Sequence, residues 1–199
     1  MSMHSIKHII GIVFFLLCYQ PVSSQQWELD SNTPPNVTIT GTSTLHDWTV
    51  SCAEVQEVPK QLNFDPDSPG QIQQFTFKVP VEGMDGGRGS SMNSKITEAF
   101  KAPEHPFVQY QQTSPASVNS TGEKNVYTIS SSGTLTMAGT SNSITIECIA
   151  TLEGDKLVIR GNKNLQMSDF GMAPPSAMFG QIQTNDEVVV SYEFQYLKK

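Results

Sequence analysis

No stretch of this sequence is apolar for long enough to cross a bilayer as a helix. The longest run, Ile9 to Cys18, falls short of the roughly 20 residues a span requires, and Pro21 follows soon after. Lys7 and two histidines precede the run, and Val22-Ser23-Ser24 supplies small residues behind it. That order reads as a secretory leader over residues 1–24, cleaved to leave one domain over 25–199 with no transmembrane anchor after cleavage. Cys18 raises the question of a lipoprotein signal, but Leu17 stands where such signals carry a small residue, so plain cleavage is preferred.

Cysteine is scarce: three in all, of which Cys18 leaves with the leader. Cys52 and Cys148 remain, with no CxxC or Cys/His spacing suited to zinc or haem. In an oxidising compartment they permit either one disulfide or two separate buried thiols, and both stay open. Positive charge is scarce too. Twelve Lys and Arg stand against nineteen Asp and Glu, a net charge of −7, which argues against nucleic acid or an anionic membrane surface as the partner. There is no Gly-x-Ser-x-Gly elbow, and the glycine-rich stretch Gly83-Met84-Asp85-Gly86-Gly87-Arg88-Gly89 lacks the Lys-Ser/Thr ending of a phosphate loop. It reads as a flexible connection. Two histidines survive cleavage, His46 and His105, too few and too isolated to converge on a metal, so neither metal nor cofactor is expected.

What the sequence does have is alternation. Past the leader, apolar residues return at every second position, the period of a strand with one buried face. Val37 and Ile39 begin it; His46, Trp48, Val50 and Cys52 share one parity, and Phe75, Phe77, Val79 and Val81 another. Tyr127 and Ile129, Leu135 and Met137, Ile144 through Leu152, Leu157 and Ile159, and Val188 through Tyr196 continue it. With Phe107 to Gln112 this makes about eight strands, enough to close an up-and-down barrel. Turn-forming residues lie between runs at Asp65-Pro66-Asp67-Ser68-Pro69-Gly70, Ser120-Thr121-Gly122-Glu123 and Glu153-Gly154-Asp155; the last predicts an antiparallel hairpin. One segment breaks the period. Ser91 to Phe100 places Met92, Ile96, Ala99 and Phe100 at helical spacing, with Ser90 or Ser91 as a cap and Pro103 beyond the end.

Two further segments bear on function. Met167-Ser168-Asp169-Phe170-Gly171-Met172-Ala173-Pro174-Pro175, followed by Met178 and Phe179, suits a plastic cover over an apolar cavity and equally a satellite core. His46 or His105 beside a serine and an acid would suit a hydrolase or isomerase. The plainer expectation makes His46 a hydrogen-bonded barrel residue and His105 a loop residue fixed by Pro106.

With these pieces placed, the chain resembles the YceI-like family. The likeness is carried by Gly41-Thr42-Ser43-Thr44-Leu45-His46-Asp47-Trp48, by the helix from Met92 to Phe100, and by Glu104-His105-Pro106-Phe107-Val108-Gln109-Tyr110. Gly133-Thr134-Leu135-Thr136-Met137-Ala138-Gly139-Thr140 and Asp169-Phe170-Gly171 with its paired prolines complete it, from about Trp27 to Phe194. The resemblance implies an all-β fold, an extended antiparallel eight-stranded lipocalin-like β-barrel with one short α-helix inserted. It also implies export to the periplasm or medium and an interior that holds a polyisoprenoid, an isoprenoid quinone or a fatty-acid type ligand, with no catalytic residues to carry over.

The expected partner is therefore a lipid or isoprenoid small molecule and the protein is read as not an enzyme, with a homodimer also permitted. The expected lining of the barrel is Trp48, Val50, Phe75, Phe77, Val79, Ile96, Phe100, Leu135, Met137, Ile144, Ile146, Val190, Tyr192 and Phe194. Barrels of this size also fill themselves with side chains, so the rival is a structural or partner-binding module with a filled core.

Overall fold

The computed structural model describes residues 25–66 and 72–199. The expected leader and most of the turn from Asp65 to Gly70 lie outside the described residues. Thirteen strands and one helix follow in order: β1 (Gln26–Leu29), β2 (Asn36–Ser43), β3 (Trp48–Cys52), β4 (Gln61–Asn63), β5 (Thr76–Pro80), β6 (Met84–Asp85), α1 (Ser90–Ala99), β7 (Phe107–Gln112), β8 (Ser117–Ser120), β9 (Val126–Met137), β10 (Thr140–Glu153), β11 (Lys156–Gln166), β12 (Ser176–Ala177) and β13 (Ile182–Lys198). The eight longer strands of the barrel wall, β2, β3, β5, β7, β9, β10, β11 and β13, coincide with the alternating runs.

Neighbours run β5-β7-β9-β10-β11-β13-β2-β3-β6, all antiparallel. The two ends of this path meet where Gln56, just past β3, exchanges backbone hydrogen bonds of 2.7 and 2.8 Å with Lys78 of β5. That single bridge nearly closes the sheet into a barrel. The hairpin at Gly154-Asp155 forms as the sequence predicts, with Glu153 opposite Lys156. A second tight hairpin, between β9 and β10, turns on Ala138 and Gly139, both at positive φ, a geometry that favours right-handed strand twist.

The interior is layered along the barrel axis. At the end where β13 finishes, β1 lies between β13 and β4 and drives Trp27 into the core, where its indole donates to the Phe64 carbonyl at 3.0 Å. Phe64 packs edge-on against Tyr127, and Leu157 and Tyr196 are fully buried beside them. This end is closed. Above it lies an aromatic layer: Phe75 and Phe194 at 5.5 Å, Phe77 and Phe194 at 6.1 Å, and Phe77 stacked on Tyr110 at 5.6 Å. Among the described residues, no buried side-chain polar atom lacks a partner. Tyr110 shares its hydroxyl with Ser131, and Gln112 accepts from the Phe75 amide and donates to the Ile72 carbonyl. The barrel is thus filled to about its middle by its own side chains.

The opposite end is capped by α1 and by the segment after β11. The helix begins on Gly89, whose φ of 76° only glycine adopts without strain, and no side chain caps it. Ser90 and Ser91, expected as caps, are instead the first helical residues; the glycine turns the chain a residue earlier than a serine cap would require. Nor is the glycine-rich stretch the free connection that its composition suggests. Met84 and Asp85 pair with Cys52 and Ser51, the Gly86 amide donates to the Asn93 side chain at 3.0 Å, and the Gly87 amide donates to Asp85.

The seam between β10 and β11 is incomplete. Pairing between β10 and β11 runs from the hairpin only as far as Cys148 opposite Gly161. Beyond it, β10 stays with β9 while β11 stays with β13. At the point of parting, the Tyr192 hydroxyl reaches across from β13 to donate to the Glu147 carbonyl at 2.9 Å. Gly161 makes room for it, since a Cβ there would stand 2.4 Å from that hydroxyl and 2.7 Å from the Glu147 oxygen.

Candidate functional site: an apolar cavity under a fastened cover

The upper half of the barrel holds a cavity of about 290 Å³. Alternation explains its walls, because each strand turns every second side chain inward. Val37 and Ile39 come from β2, Trp48, Val50 and Cys52 from β3, Phe77 and Val79 from β5, and Leu135 and Met137 from β9. Ile144 and Ile146 on β10, Leu165 on β11, and Val188, Val190 and Tyr192 on β13 complete the circle. The helix contributes Met92, Ile96, Ala99 and Phe100, the face its spacing predicts. Trp48 stands at the rim, its ring laid flat over Gly41 so closely that a Cβ would fall 2.2 Å from it, and its indole donates to the Thr42 carbonyl at 3.2 Å.

Of the fourteen residues read from the sequence as lining, the structure places twelve on these walls: Trp48, Val50, Phe77, Val79, Ile96, Phe100, Leu135, Met137, Ile144, Ile146, Val190 and Tyr192. Phe75 and Phe194 lie elsewhere, packed on one another in the aromatic layer below the floor. Parity separates inward from outward side chains but is silent on depth along the barrel, so they share a parity with lining residues without reaching the cavity. Val37, Ile39, Met92 and Val188 carried the same periodic signal and belong on the wall. Met167, Phe170 and Met172 come from the methionine-rich segment read as a cover or a satellite core, and Met84 from the glycine-rich stretch, where no pattern marked it.

The segment after β11 divides in two. Met167, Phe170 and Met172 are buried and face the cavity, whereas Met178 and Phe179 project into solvent at positive φ. The inward part is a cover fastened on three sides. Asp186 of β13 accepts from the Ser168 amide and hydroxyl, Asn142 of β10 donates to the Asp169 carbonyl at 2.8 Å, and two lysines reach across from the helical region. Lys95 donates to the Ser176 carbonyl at 2.8 Å and Lys101 to that of Gly171 at 3.2 Å.

The two histidines occupy different loops. His46 sits at the rim between β2 and β3 with Nδ1 2.7 Å from the Asp47 carbonyl oxygen, and the His105 ring lies against Gly139 at the β9–β10 turn. Among the described residues, neither imidazole hydrogen-bonds to a serine hydroxyl or a carboxylate, and no cluster of three or more His, Cys, Asp or Glu is arranged for a metal ion.

Cys52 and Cys148 are separate thiols, not a disulfide. Burial pushes both up to about 11 from an ordinary value of 9.0, and burial likewise holds the Tyr192 phenol well above its usual range. A thiol that stays protonated in the folded state but ionises near pH 9 when unfolded favours folding fully below that pH. Its contribution is lost as pH rises towards 11. The urea midpoint is therefore expected to hold steady to about pH 9 and then fall, and a Cys52→Ala, Cys148→Ala double variant to fall less steeply over the same window. Equal slopes for the two proteins would show that other groups govern the alkaline loss.

The fold is that of an eight-stranded antiparallel barrel, packed at one end and hollow and apolar at the other, an architecture with room for a small molecule. The YceI-like domain profile matches residues 27–196, and the chain belongs to that family. No curated protein matches the sequence. Solved structures share the fold at low identity. Burkholderia cenocepacia BcnA superposes with a TM-score of 0.62 at 17% identity, over 81% of this chain and 95% of that one. A polyisoprenoid binding domain from Saccharophagus degradans, implicated in plant cell wall breakdown, gives 0.58 at 10% identity over 88% and 99%. The Campylobacter jejuni YCEI protein gives 0.57 at 15% over 75% and 84%.

Proposed function

We propose that this chain is an exported binding protein that holds an apolar or amphiphilic lipid-like molecule, of polyisoprenoid, isoprenoid quinone or fatty-acid type, in the upper half of its barrel. The observation that carries this reading is the apolar cavity walled by branched and aromatic side chains. A packed barrel would have no such space, and the filled lower half shows that the same strands can pack when their side chains are large enough. An alkyl or isoprenoid chain entering the cavity gains roughly 0.8 kcal/mol per CH₂ removed from water, so about ten such groups outweigh the ordering losses of association. The polyisoprenoid binding domain from Saccharophagus degradans supports the same class of ligand. Export, to periplasm or medium, rests on the leader read over residues 1–24.

Organic extraction of protein purified without detergent, followed by mass spectrometry, is expected to release a long-chain apolar molecule at near-stoichiometric yield. Trp48 stands at the rim, so refilling the stripped protein with a quinone or fatty acid is expected to change the tryptophan emission. An empty extract together with no uptake of either ligand would overturn the reading in favour of a partner-binding module.

A further inference from the structure

Charge is distributed unevenly between this barrel's surface and its cavity. Acidic residues outnumber basic ones by nineteen to twelve over the sequence, yet among the described residues the cavity is lined by Arg88, Lys95 and Lys163 and by no Asp or Glu. Lys95 already donates to the cover at Ser176. Arg88 and Lys163 form no ion pair with any described residue.

Lys163 holds the more telling position. Along β11 the inward parity runs Leu157, Ile159, Gly161, Lys163, Leu165, so a lysine occupies a place where the pattern calls for an apolar side chain. Val190 is opposite it on β13, but on the β10 side it has no ladder partner, because the seam has already parted at Cys148 and Gly161. Residues 142–145 and 163–166 flank the resulting cleft, and Lys163 lines both this mainly polar cleft and the apolar cavity. Asp169 and Glu187 also border the cleft; Glu187 accepts from Asn164 at 2.9 Å, and neither carboxylate pairs with Lys163. The lysine stem can lie along the apolar wall while the ammonium reaches the water of the cleft. A cation at a place where the oily interior meets an open side of the wall is suited to a head group whose tail lies inside.

We propose that the ligand is a long-chain amphiphile with an anionic head, a carboxylate or a phosphate, and that Lys163 holds this head in the cleft between β10 and β11. The inference rests on the carrier reading above and narrows its ligand class. Arg88 and Lys95 give the helix side of the cavity the same sign. A charge-assisted hydrogen bond at Lys163 is expected to favour the anion over a neutral head of equal chain length by about tenfold or more.

Titrating the stripped protein with hexadecanoate, hexadecanol, farnesyl phosphate and farnesol tests this. Each anion is expected to bind about tenfold tighter than its own alcohol, and the better of the two anions identifies carboxylate or phosphate as the head. In Lys163→Met the preference is expected to vanish while alcohol affinity holds, and in Lys163→Arg the preference is expected to persist. Equal binding of anion and alcohol by the unaltered protein, or a preference that survives Lys163→Met, would overturn the head-group assignment and leave the carrier standing. If none of the four probes binds, the carrier reading itself fails.

Discussion

A Val190→Trp variant is expected to keep its fold and lose its ligand. Val190 is half-buried, faces the cavity from β13 between Lys163 and Ile39, and has open space in front of it. An indole there fills volume that a chain would otherwise occupy, and it need not displace a packed neighbour as it would in the lower half of the barrel. Excluding three or four CH₂ groups at roughly 0.8 kcal/mol each removes about 3 kcal/mol, an affinity loss on the order of 100-fold. Overpacking costs that usually accompany such a change, about 1–3 kcal/mol, are expected to be small or reversed because the substitution fills a void. Displacement of a fluorescent fatty acid reads the affinity, and thermal unfolding reads the fold. Unchanged affinity in a folded Val190→Trp protein would place the ligand elsewhere than in this cavity.

The position of Lys163 also shows where sequence reading reached and where it stopped. Eight strands were legible because each buries one face, and a two-residue period has few other causes. On β11 the run was legible only through Leu157 and Ile159, since Gly161 and Lys163 then interrupt the apolar parity. Those interruptions are structural signals in their own right. Gly161 yields space to Tyr192 where β10 and β11 separate, and Lys163 lies in the opening. The periodic pattern fails beside the candidate head-group site because that stretch of wall faces a cleft on one side instead of a neighbouring strand. The short strands β1, β4, β6, β8 and β12 were not legible, since two to four residues are too few to establish a period and their pairing depends on partners elsewhere in the chain. The cover was half legible: methionines and Phe170 marked it as apolar, but only the tertiary fold separates inward Met167, Phe170 and Met172 from exposed Met178 and Phe179.

The closed end, built by two of those unread strands, is where a single substitution is expected to unfold the protein most readily. Trp27 is buried to 1% exposure, and its indole satisfies the Phe64 carbonyl. Trp27→Ala removes the largest side chain at this end and leaves a buried carbonyl without its donor, a combination expected to destabilise by about 3–5 kcal/mol. In a domain of this size that lowers Tm by roughly 10 °C. Trp27→Phe restores most of the apolar area but not the donor, so it is expected to lose only about 1–2 kcal/mol. Trp48→Ala, at the half-exposed rim, is expected to lose less than Trp27→Ala. The sequence contains just these two tryptophans, so Trp27→Ala leaves Trp48 as the sole emitter and reports the cavity directly. Because the aromatic layer of Phe75, Phe77, Tyr110 and Phe194 separates the two ends, the folded fraction of Trp27→Ala is expected to bind its ligand with unaltered affinity. Urea titration supplies the stability and Trp48 emission the binding. A Tm drop in Trp27→Ala no larger than that of Trp48→Ala would mean that β1 and β4 do not hold this end closed.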